Sequence, residues 1–191
     1  MKIHQIKNRY TGAVIFETEA ESLKEAVEMA IASYSNLSGS NLRGSDLRGS
    51  NLRGSDLRGS NLSGSDLRGS NLRYSNLSGS NLRGSDLSGS NLSGSDLRGS
   101  NLSYSDLRYS DLRGSNLRGS DLSGSKGVIS ITGLPYHVII WKDQVQAGCK
   151  IHTAAEWRKF TARQIAAMDG DKATVFYPRL LQIIDLFCGS K

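Results

Sequence analysis

The middle of this chain lacks most of the amino-acid alphabet. Residues 35–124 use only seven residue types, namely Ser, Asn, Asp, Leu, Arg, Gly and Tyr. All three histidines of the chain, His4, His137 and His152, lie in the flanks. A Ser-His-Asp catalytic site therefore cannot be assembled from the repeated residues. We expect no catalytic, cofactor-binding or metal-binding residues, no cofactor and no enzymatic activity.

Cysteines and long apolar runs are also scarce. The only cysteines are Cys149 and Cys188, fewer than a small secreted disulfide scaffold normally carries. We expect free, buried thiols in a cytoplasmic protein. No stretch approaches the roughly 20 apolar residues of a membrane span, so we expect no membrane partner. Cys149 with His152 lacks the further ligands of a zinc site, and His152 with Glu156 is better interpreted as the entry to a capped helix.

What the sequence does contain is a strict five-residue period. Eighteen consecutive pentapeptides of the form Ser-(Asn/Asp)-Leu-(Arg/Ser)-(Gly/Tyr) run from Ser35 to Gly124. A five-residue step rotates each leucine by about 140° on an α-helix, and on a flat strand it sends alternate leucines to opposite faces. The leucines share one core only if the chain turns once per repeat. The predicted structural core is Leu37, Leu42, Leu47, Leu52, Leu57, Leu62, Leu67, Leu72, Leu77, Leu82, Leu87, Leu92, Leu97, Leu102, Leu107, Leu112, Leu117 and Leu122.

This pattern resembles the pentapeptide-repeat family, whose consensus is a small residue, Asn or Asp, Leu and two variable positions. The resemblance implies an all-β solenoid with small α-helical caps. Its body would be a right-handed, four-sided β-helix, with four repeats per coil and residues twenty apart stacked in columns. One departure is that the small inward position, often Ala in the family, is Ser in all eighteen repeats. Each buried hydroxyl then needs a hydrogen-bond partner, and the neighbouring coil is one source.

The uniformity of the repeat bears on its origin. Natural cores tolerate volume-conserving hydrophobic substitutions, but none occurs among the eighteen leucines. This favours a consensus design that serves as a structural scaffold, with recent tandem duplication as the competing explanation. Segments 133–140 and 148–157 resemble the C-terminal regions of natural bacterial and phage pentapeptide-repeat proteins. The resemblance therefore suggests natural caps that enclose a synthetic repeat.

The flanks predict caps at residues 1–34 and 126–191 around a repeat domain at 35–125. Residues 2–8 and 13–17 are strand-like and predict a hairpin. Ser22 with Glu25 forms a capping-box pattern ahead of an apolar helical stripe that we expect to cover the first coil.

In the C-terminal flank, residues 128–141 are rich in β-branched side chains and predict one or two irregular final coils. Capping-box patterns predict helices that begin near Ala154 and Ala162. The last helix is expected to reach about Phe187, with a kink or a new start at Pro178. Pairing of two molecules into a homodimer through residues 175–187 of this cap is one of the alternatives that the sequence leaves.

The charges separate the functional alternatives. Some members of the family mimic DNA and inhibit or protect DNA gyrase, which requires a dense acidic surface. Here the repeat carries eleven Arg and eight Asp, and the whole chain has a formal net charge of +6. A gyrase-interacting protein and a basic nucleic-acid-binding solenoid are the two alternatives to a scaffold. Because interleaved Asp neutralises Arg, we do not expect specific nucleic-acid binding.

Two surface features follow from a twenty-residue coil. The aspartates Asp46, Asp66, Asp86 and Asp106 would stack, with Arg48, Arg68 and Arg108 as compensating charges. Tyr74, Tyr104 and Tyr109 replace glycine in the last repeat position, and Tyr34 precedes the first repeat. A binding or dimer patch is one interpretation of these tyrosines, but their scattered placement favours packing at the corners of the coil.

Overall fold

In the computed structural model of the protein, which describes residues 1–189, the chain turns at the end of every pentapeptide. In a representative repeat, the Ser45 N–H donates to the Leu42 carbonyl at 3.2 Å and closes a four-residue turn. The third residue of that turn, Gly44, has φ of 65°. A turn of this kind requires positive φ at that position, where glycine has no Cβ to clash. The glycine in the last repeat position is therefore a requirement of the turn.

Consecutive coils are joined by parallel pairing between residues twenty apart, throughout residues 41–126. The Leu42 N–H donates to the Asn61 carbonyl at 2.7 Å, and the Asn61 N–H donates to the Ser40 carbonyl at 2.8 Å. The N–H of the fifth repeat position donates in the same way to the fourth-position carbonyl of the next coil. Four repeats therefore form one coil, and this region is a β-solenoid.

The second repeat position completes the backbone hydrogen bonding. Its side-chain oxygen accepts the N–H of the residue two further on, as in Ser63 N–H to Asn61 Oδ1 at 3.2 Å and Arg48 N–H to Asp46 Oδ1 at 3.2 Å. With this bond, all five N–H groups of an interior repeat have acceptors, as the backbone of a packed structure requires. Asn and Asp share the short side chain and the oxygen acceptor that this bond needs.

Leucine and serine fill the interior of the solenoid. All eighteen predicted core leucines are buried, with at most 3% of any residue exposed. The first-position serines from Ser40 to Ser120 are buried beside them. The Ser45 hydroxyl donates to the Leu42 carbonyl of its own turn at 2.7 Å, and most other serines do the same. The partner therefore comes from within the same turn rather than from the neighbouring coil. In the part of the chain that the structure describes, five serine hydroxyls are buried without a hydrogen-bond partner: Ser40, Ser50, Ser60, Ser90 and Ser95.

The N-terminal flank forms a hairpin followed by a helix. Strands β1 (Lys2–Lys7) and β2 (Val14–Ala20) pair antiparallel, and α1 spans Leu23–Ala32. The Ser22 hydroxyl accepts the Glu25 N–H at 3.2 Å, as the capping-box pattern predicts. The Glu25 carboxylate instead accepts the N–H of Glu21 at 2.7 Å, so the return bond is displaced by one residue.

This flank supplies acceptors to the first coil. In later coils the second-position N–H donates to the preceding coil, but the first coil has none before it. The Asn41 N–H donates instead to the Lys7 carbonyl at 2.7 Å. The Asn51 N–H donates to the Glu28 carboxylate of α1, also at 2.7 Å. These bonds pair strand-edge groups that would otherwise be open to another chain.

The chain divides into two compact units, Met1–Gly127 and the residues from Val128 onward. The second unit contains a four-stranded antiparallel sheet in the order β3 (Ile129–Ile131), β4 (Val138–Trp141), β5 (Gln144–Ala147) and β6 (Lys150–Thr153). The expectation of irregular final coils at residues 128–141 was therefore wrong. Two-residue loops at 142–143 and 148–149 join β4 to β5 and β5 to β6. Lys142 and Gly148 have φ of 52° and 60° there, and such tight turns favour hairpins over coils.

Two capped helices complete this unit. Helix α2 spans Ala154–Trp157 and α3 spans Ala162–Cys188, and both begin with the predicted capping boxes. The break in α3 falls at Asp169 and Gly170, so the kink expected at Pro178 was wrong. Gly170 has φ of 54° and ψ of −140°, a conformation that favours glycine. One face of the sheet and the helices share a core that includes Val138, Ile140, Val145, Ile165, Phe176, Leu180 and Ile184.

Candidate interaction surface

The second repeat position stacks into four columns along the solenoid. Column 1 contains Asn41, Asn61, Asn81, Asn101 and Asp121, and column 2 contains Asp46, Asp66, Asp86, Asp106 and then Lys126. Column 3 contains Asn51, Asn71, Asn91 and Asp111, and column 4 contains Asp56, Asn76, Asp96 and Asn116. Each fourth-position Arg or Ser lies two residues after a member of one column. Every charged side chain of the repeat therefore lies in one of these columns or two residues after a column member.

Columns 2 and 4 carry most of the Asp-Arg ion pairs. In column 2, Arg48 donates through Nε to Asp46 Oδ1 at 2.8 Å and also pairs with Asp46 Oδ2. The same Nε lies 3.7 Å from Asp66 Oδ2 in the next coil. The repeat of Asp86 has Ser88 rather than arginine in its fourth position, but Arg68 Nε lies 3.8 Å from Asp86 Oδ2. The arginines thus compensate for the stacked aspartates both within one repeat and across coils.

These contacts lower the pKa of the repeat carboxyls. Hydrogen bonds from the Arg48 side chain are the main cause that lowers the pKa of Asp46 to about 2. The arginine two residues on lowers the pKa of four further aspartates in the same way: Asp56, Asp66, Asp96 and Asp106. The pKa of Asp121 is lowered mainly by the backbone hydrogen bond from Ser123.

We therefore expect the protein to lose stability in acid. A carboxyl whose folded pKa is depressed stabilises the fold above its unfolded pKa, about 3.9 for Asp, and loses that contribution as pH falls through the folded value. Urea midpoints should change little from pH 7 to 5 and fall steadily between about pH 4 and 2. The Asp56→Asn/Asp96→Asn variant keeps the backbone acceptors and should show a shallower fall. An equally steep fall in this variant would contradict the assignment.

Columns 1 and 3 differ, because their arginines follow asparagine. Among the described residues, no ion pair within 4.0 Å involves Arg43, Arg53, Arg73 or Arg83. Residues 41–85 of these two columns contain no carboxylate. Neutralisation by Asp therefore applies to column 2, to Arg58 and Arg98 of column 4 and to the Asp111–Arg113 pair, which closes column 3.

An asparagine in the second position forms hydrogen bonds with a serine in the fourth position of the same repeat. Asn61 Oδ1 accepts both the N–H and the hydroxyl of Ser63, at 3.2 and 2.8 Å, and three similar pairs form at Asn76, Asn91 and Asn101. Where the fourth position is Ser after Asn, the polar groups of the repeat satisfy one another. Where it is Arg after Asn, no carboxylate of residues 1–189 lies within 4.0 Å of the guanidinium in an ion pair. The choice between Arg and Ser therefore determines which columns present free positive charge.

The four tyrosines all adopt the left-handed conformation of the turn glycines, with φ between 57° and 62°. The Tyr74 ring occupies the space beside Gly94 one coil on, since a Cβ added to Gly94 would lie 2.5 Å from Tyr74 Cδ1. Tyr104 covers Gly124 in the same way, at 2.8 Å. Tyr34 and Tyr109 remain 96% and 84% exposed. Tyr74 and Tyr104 therefore pack at the corners of the coil, whereas Tyr34 and Tyr109 do not.

Alanine substitution at two matched glycines should separate ring contact from backbone strain. Gly89 and Gly94 both have φ of 67°, but a Cβ at Gly89 meets nothing within 4 Å. Gly89→Ala should lower the free energy of unfolding by about 1 kcal/mol through the left-handed backbone. Gly94→Ala should cost about 1 kcal/mol more, because the Tyr74 ring must move away from Arg73. Urea denaturation measures both, and equal costs for the two variants would contradict the ring contact.

The C-terminal unit holds polar contacts that the sequence did not reveal. The Ser130 hydroxyl and His137 Nε2 are 2.7 Å apart, and burial lowers the pKa of His137. Burial, together with a hydrogen bond to Asp169, raises the pKa of Tyr136 to about 12. These groups are brought together by sheet register and by the break in α3, so no local sequence motif marks them.

The remaining predicted positions are placed as follows. Both cysteines are free, as expected, but Cys149 is exposed and Cys188 is only partly buried, so the expectation of buried thiols was wrong. His152 contacts the rings of Trp157 and Phe160 with centroid distances of 5.2 and 4.8 Å. Within residues 1–189, no group of three or more His, Cys, Asp or Glu side chains is placed to hold a metal ion. No helix in that range combines the length and apolar character that crossing a membrane requires.

Comparison with known families identifies the repeat. The family model described as Pentapeptide repeats matches in eight copies, over residues 35–73, 65–103 and 95–126. No curated protein is significantly similar in sequence to this chain.

Several solved structures are similar to the repeated part of the chain. A pentapeptide repeat protein from the cyanobacterium Cyanothece 51142 is 36% identical over 46% of this chain and 60% of its own, with a TM-score of 0.44. A pentapeptide repeat protein from Nostoc is 32% identical over 53% of this chain and 75% of its own, with a TM-score of 0.23. The plasmid-mediated fluoroquinolone resistance protein QnrB1 is 20% identical over 44% of this chain and 59% of its own, with a TM-score of 0.21. The chain thus spans less than two thirds of the Cyanothece protein.

Proposed function

This chain belongs to the pentapeptide-repeat family, and from that premise we propose that it is a non-catalytic structural scaffold. The observation that carries the proposal is the internal completeness of the repeat. Each interior pentapeptide buries its own leucine and pairs all five of its backbone N–H groups within the solenoid. The fourth position is then free to vary between Arg and Ser without a change in the framework. A surface that varies on a constant frame is what a scaffold needs.

The proposal extends to shape and origin. The body would be a right-handed, four-sided β-helix, as the family resemblance implies, with residues 1–34 and 126–191 as caps. The seven-letter alphabet of residues 35–124 supports a consensus design. Free cysteines suit a reducing cytoplasm. The scaffold role requires neither a cofactor nor a partner. A homodimer through the C-terminal cap is a separate part of the proposal, which a measurement of mass in solution tests.

Insertion of one extra coil tests the scaffold role. Duplication of residues 50–69 adds four repeats in phase with every column, so the longer protein should fold and resist urea at least as well as the parent. Its m-value should be larger, because more surface becomes exposed on unfolding. A control insert with the same twenty residues in scrambled order displaces the leucines from their period and should destabilise the fold. If the two inserts behave alike, the framework is not modular and the proposal fails.

A plasmid supercoiling assay tests the gyrase alternative. The net positive charge of the repeat is opposite to that of a DNA mimic, so we expect gyrase to supercoil relaxed plasmid at the same rate with and without the protein at physiological salt. Relaxation of the same plasmid by an unrelated topoisomerase serves as the control. Inhibition confined to the gyrase lanes would replace the scaffold role with a gyrase-directed one.

A further inference from the structure

Column 3 and its two edges combine free positive charge with exposed aromatic rings. The fourth-position residues of this column are Arg53, Arg73, Ser93 and Arg113. Arg53 and Arg73 lie two residues after Asn51 and Asn71, which pair in adjacent coils. The backbones of adjacent coils are about 4.8 Å apart. Neither arginine forms an ion pair among the described residues. Arg113 is paired, with Asp111 at 2.7 Å. Within residues 1–189, no other column presents two unpaired arginines in consecutive coils.

The asparagines of this column add hydrogen-bonding groups beside the charges. Asn71 Nδ2 donates to Asn51 Oδ1 in the preceding coil at 3.4 Å. Both Asn51 and Arg53 are exposed. Within residues 1–189, the carboxylates that bond to this column lie at its ends, with Glu28 bonded to the Asn51 N–H at one end and Asp111 to Arg113 at the other. The middle of the column therefore offers donors without a competing anion.

Tyrosines border the column on both edges. Tyr74 ends a column 3 repeat, and Tyr109 ends the column 2 repeat that leads directly into Asp111. Arg73 lies 4.6 Å from the centre of the Tyr74 ring and donates from Nη2 to the Tyr74 hydroxyl at 2.8 Å. Tyr109 is among the most exposed side chains of the solenoid. Both rings keep the left-handed backbone that glycine adopts elsewhere, which is a strained conformation for tyrosine.

From this arrangement we infer that column 3 binds single-stranded nucleic acid without sequence preference, which goes beyond a scaffold role. Guanidinium groups in a row follow a phosphate backbone, and aromatic rings at the edges accept unstacked bases. A duplex keeps its bases stacked inside, away from the rings, so a single strand fits this surface better. Phosphate is held by Arg53 and Arg73, and a base stacks on Tyr109 or on the exposed part of the Tyr74 ring.

Fluorescence anisotropy with a labelled twenty-nucleotide oligothymidylate tests this inference on the full chain. Two phosphate contacts, from Arg53 and Arg73, predict a slope of log affinity against log salt near −1.4, since each contact contributes about −0.7 for single strands. Arg53→Ser/Arg73→Ser should weaken binding about tenfold at low salt and reduce the magnitude of the slope by about 1.4. Serine is already present at this position in other repeats, so the variant should retain the fold, and circular dichroism checks this.

A charge-matched control separates the surface from net charge. Arg58→Ser/Arg98→Ser also removes two positive charges, but from column 4, where both arginines pair with aspartate. Its affinity should stay within about threefold of the parent. Equal losses in the two double variants would show that only net charge matters and would overturn the inference.

Tyr74→Gly tests the aromatic edge with little risk to the fold, because glycine is the usual residue in this turn position. Loss of base stacking should weaken oligothymidylate binding about fivefold or more. Binding of a heparin fragment of similar charge, which has no bases, should not change in this variant. If heparin binds as tightly as oligothymidylate and Tyr74→Gly affects neither, the surface recognises anions alone and the assignment to nucleic acid is wrong.

Discussion

Replacement of Leu72 by alanine is expected to lower the free energy of unfolding by about 2–5 kcal/mol, the range for a fully buried leucine. Leu72 is 0% exposed and lies in the middle of the solenoid, with coils on both sides. The cavity cannot close by repacking, because the backbone around it is held by hydrogen bonds to both neighbouring coils. Urea denaturation followed by circular dichroism measures the change.

A surface substitution provides the matched control for this core variant. Arg118→Ser exchanges an exposed fourth-position residue for the other residue type that occurs there. Because it changes neither core volume nor backbone pairing, the free energy of unfolding should shift by no more than about 0.5 kcal/mol. Comparable effects from Leu72→Ala and Arg118→Ser would mean that the leucine ladder does not form the core.

Removal of residues 1–34 is expected to convert the protein into end-to-end assemblies. The deletion uncovers the first leucines and leaves the N–H groups of Asn41 and Asn51 without the acceptors that Lys7 and Glu28 provide. An exposed coil end presents the same edge that pairs with a coil inside the solenoid, so a second molecule can add to it. Light scattering after size-exclusion chromatography should show a mass that grows with concentration.

Glu28→Ala distinguishes the loss of one acceptor from the loss of the whole cap. This variant keeps the hairpin and α1 but removes the acceptor of the Asn51 N–H, which should cost only about 0.5–1.5 kcal/mol because Asn51 is exposed and water can replace the carboxylate. Its mass should match that of the parent protein at every concentration. A truncated protein that keeps both the mass and the thermal midpoint of the parent would show that the N-terminal flank does not act as a cap.

The sequence was sufficient for the repeat because each pentapeptide obeys the same local rules. The leucine period requires one turn per repeat, and the glycine and Asn/Asp positions meet the needs of that turn. The stacked aspartates and their arginine partners followed from the period together with the four-repeat coil that the family resemblance implies. The helix starts at Ala154 and Ala162 were also predictable, since a capping box involves residues only three apart.

The flanks were less predictable where distant residues decide the structure. Residues 128–141 have the β-branched composition of a strand, but composition does not say whether a strand pairs with a coil or within a hairpin. The loops at 142–143 and 148–149 made that choice in favour of an antiparallel sheet. In α3 the sequence predicted a break at Pro178, but the helix continues through this proline. Gly170 was the weaker point, because its backbone adopts a conformation that few other residues tolerate.

For the proposed binding surface, too, the sequence determined one part of the arrangement and the tertiary structure decided the other. The sequence determined how many arginines and tyrosines the repeat carries and, with the four-repeat coil that the family resemblance implies, which of them share a column. Only the tertiary structure decided that Arg48 and Arg68 also approach an aspartate of the next coil and that the Tyr74 ring covers Gly94. The physical reason is range: periodicity and turn chemistry act over a few residues, whereas these contacts depend on side chains that folding brings together from twenty residues apart.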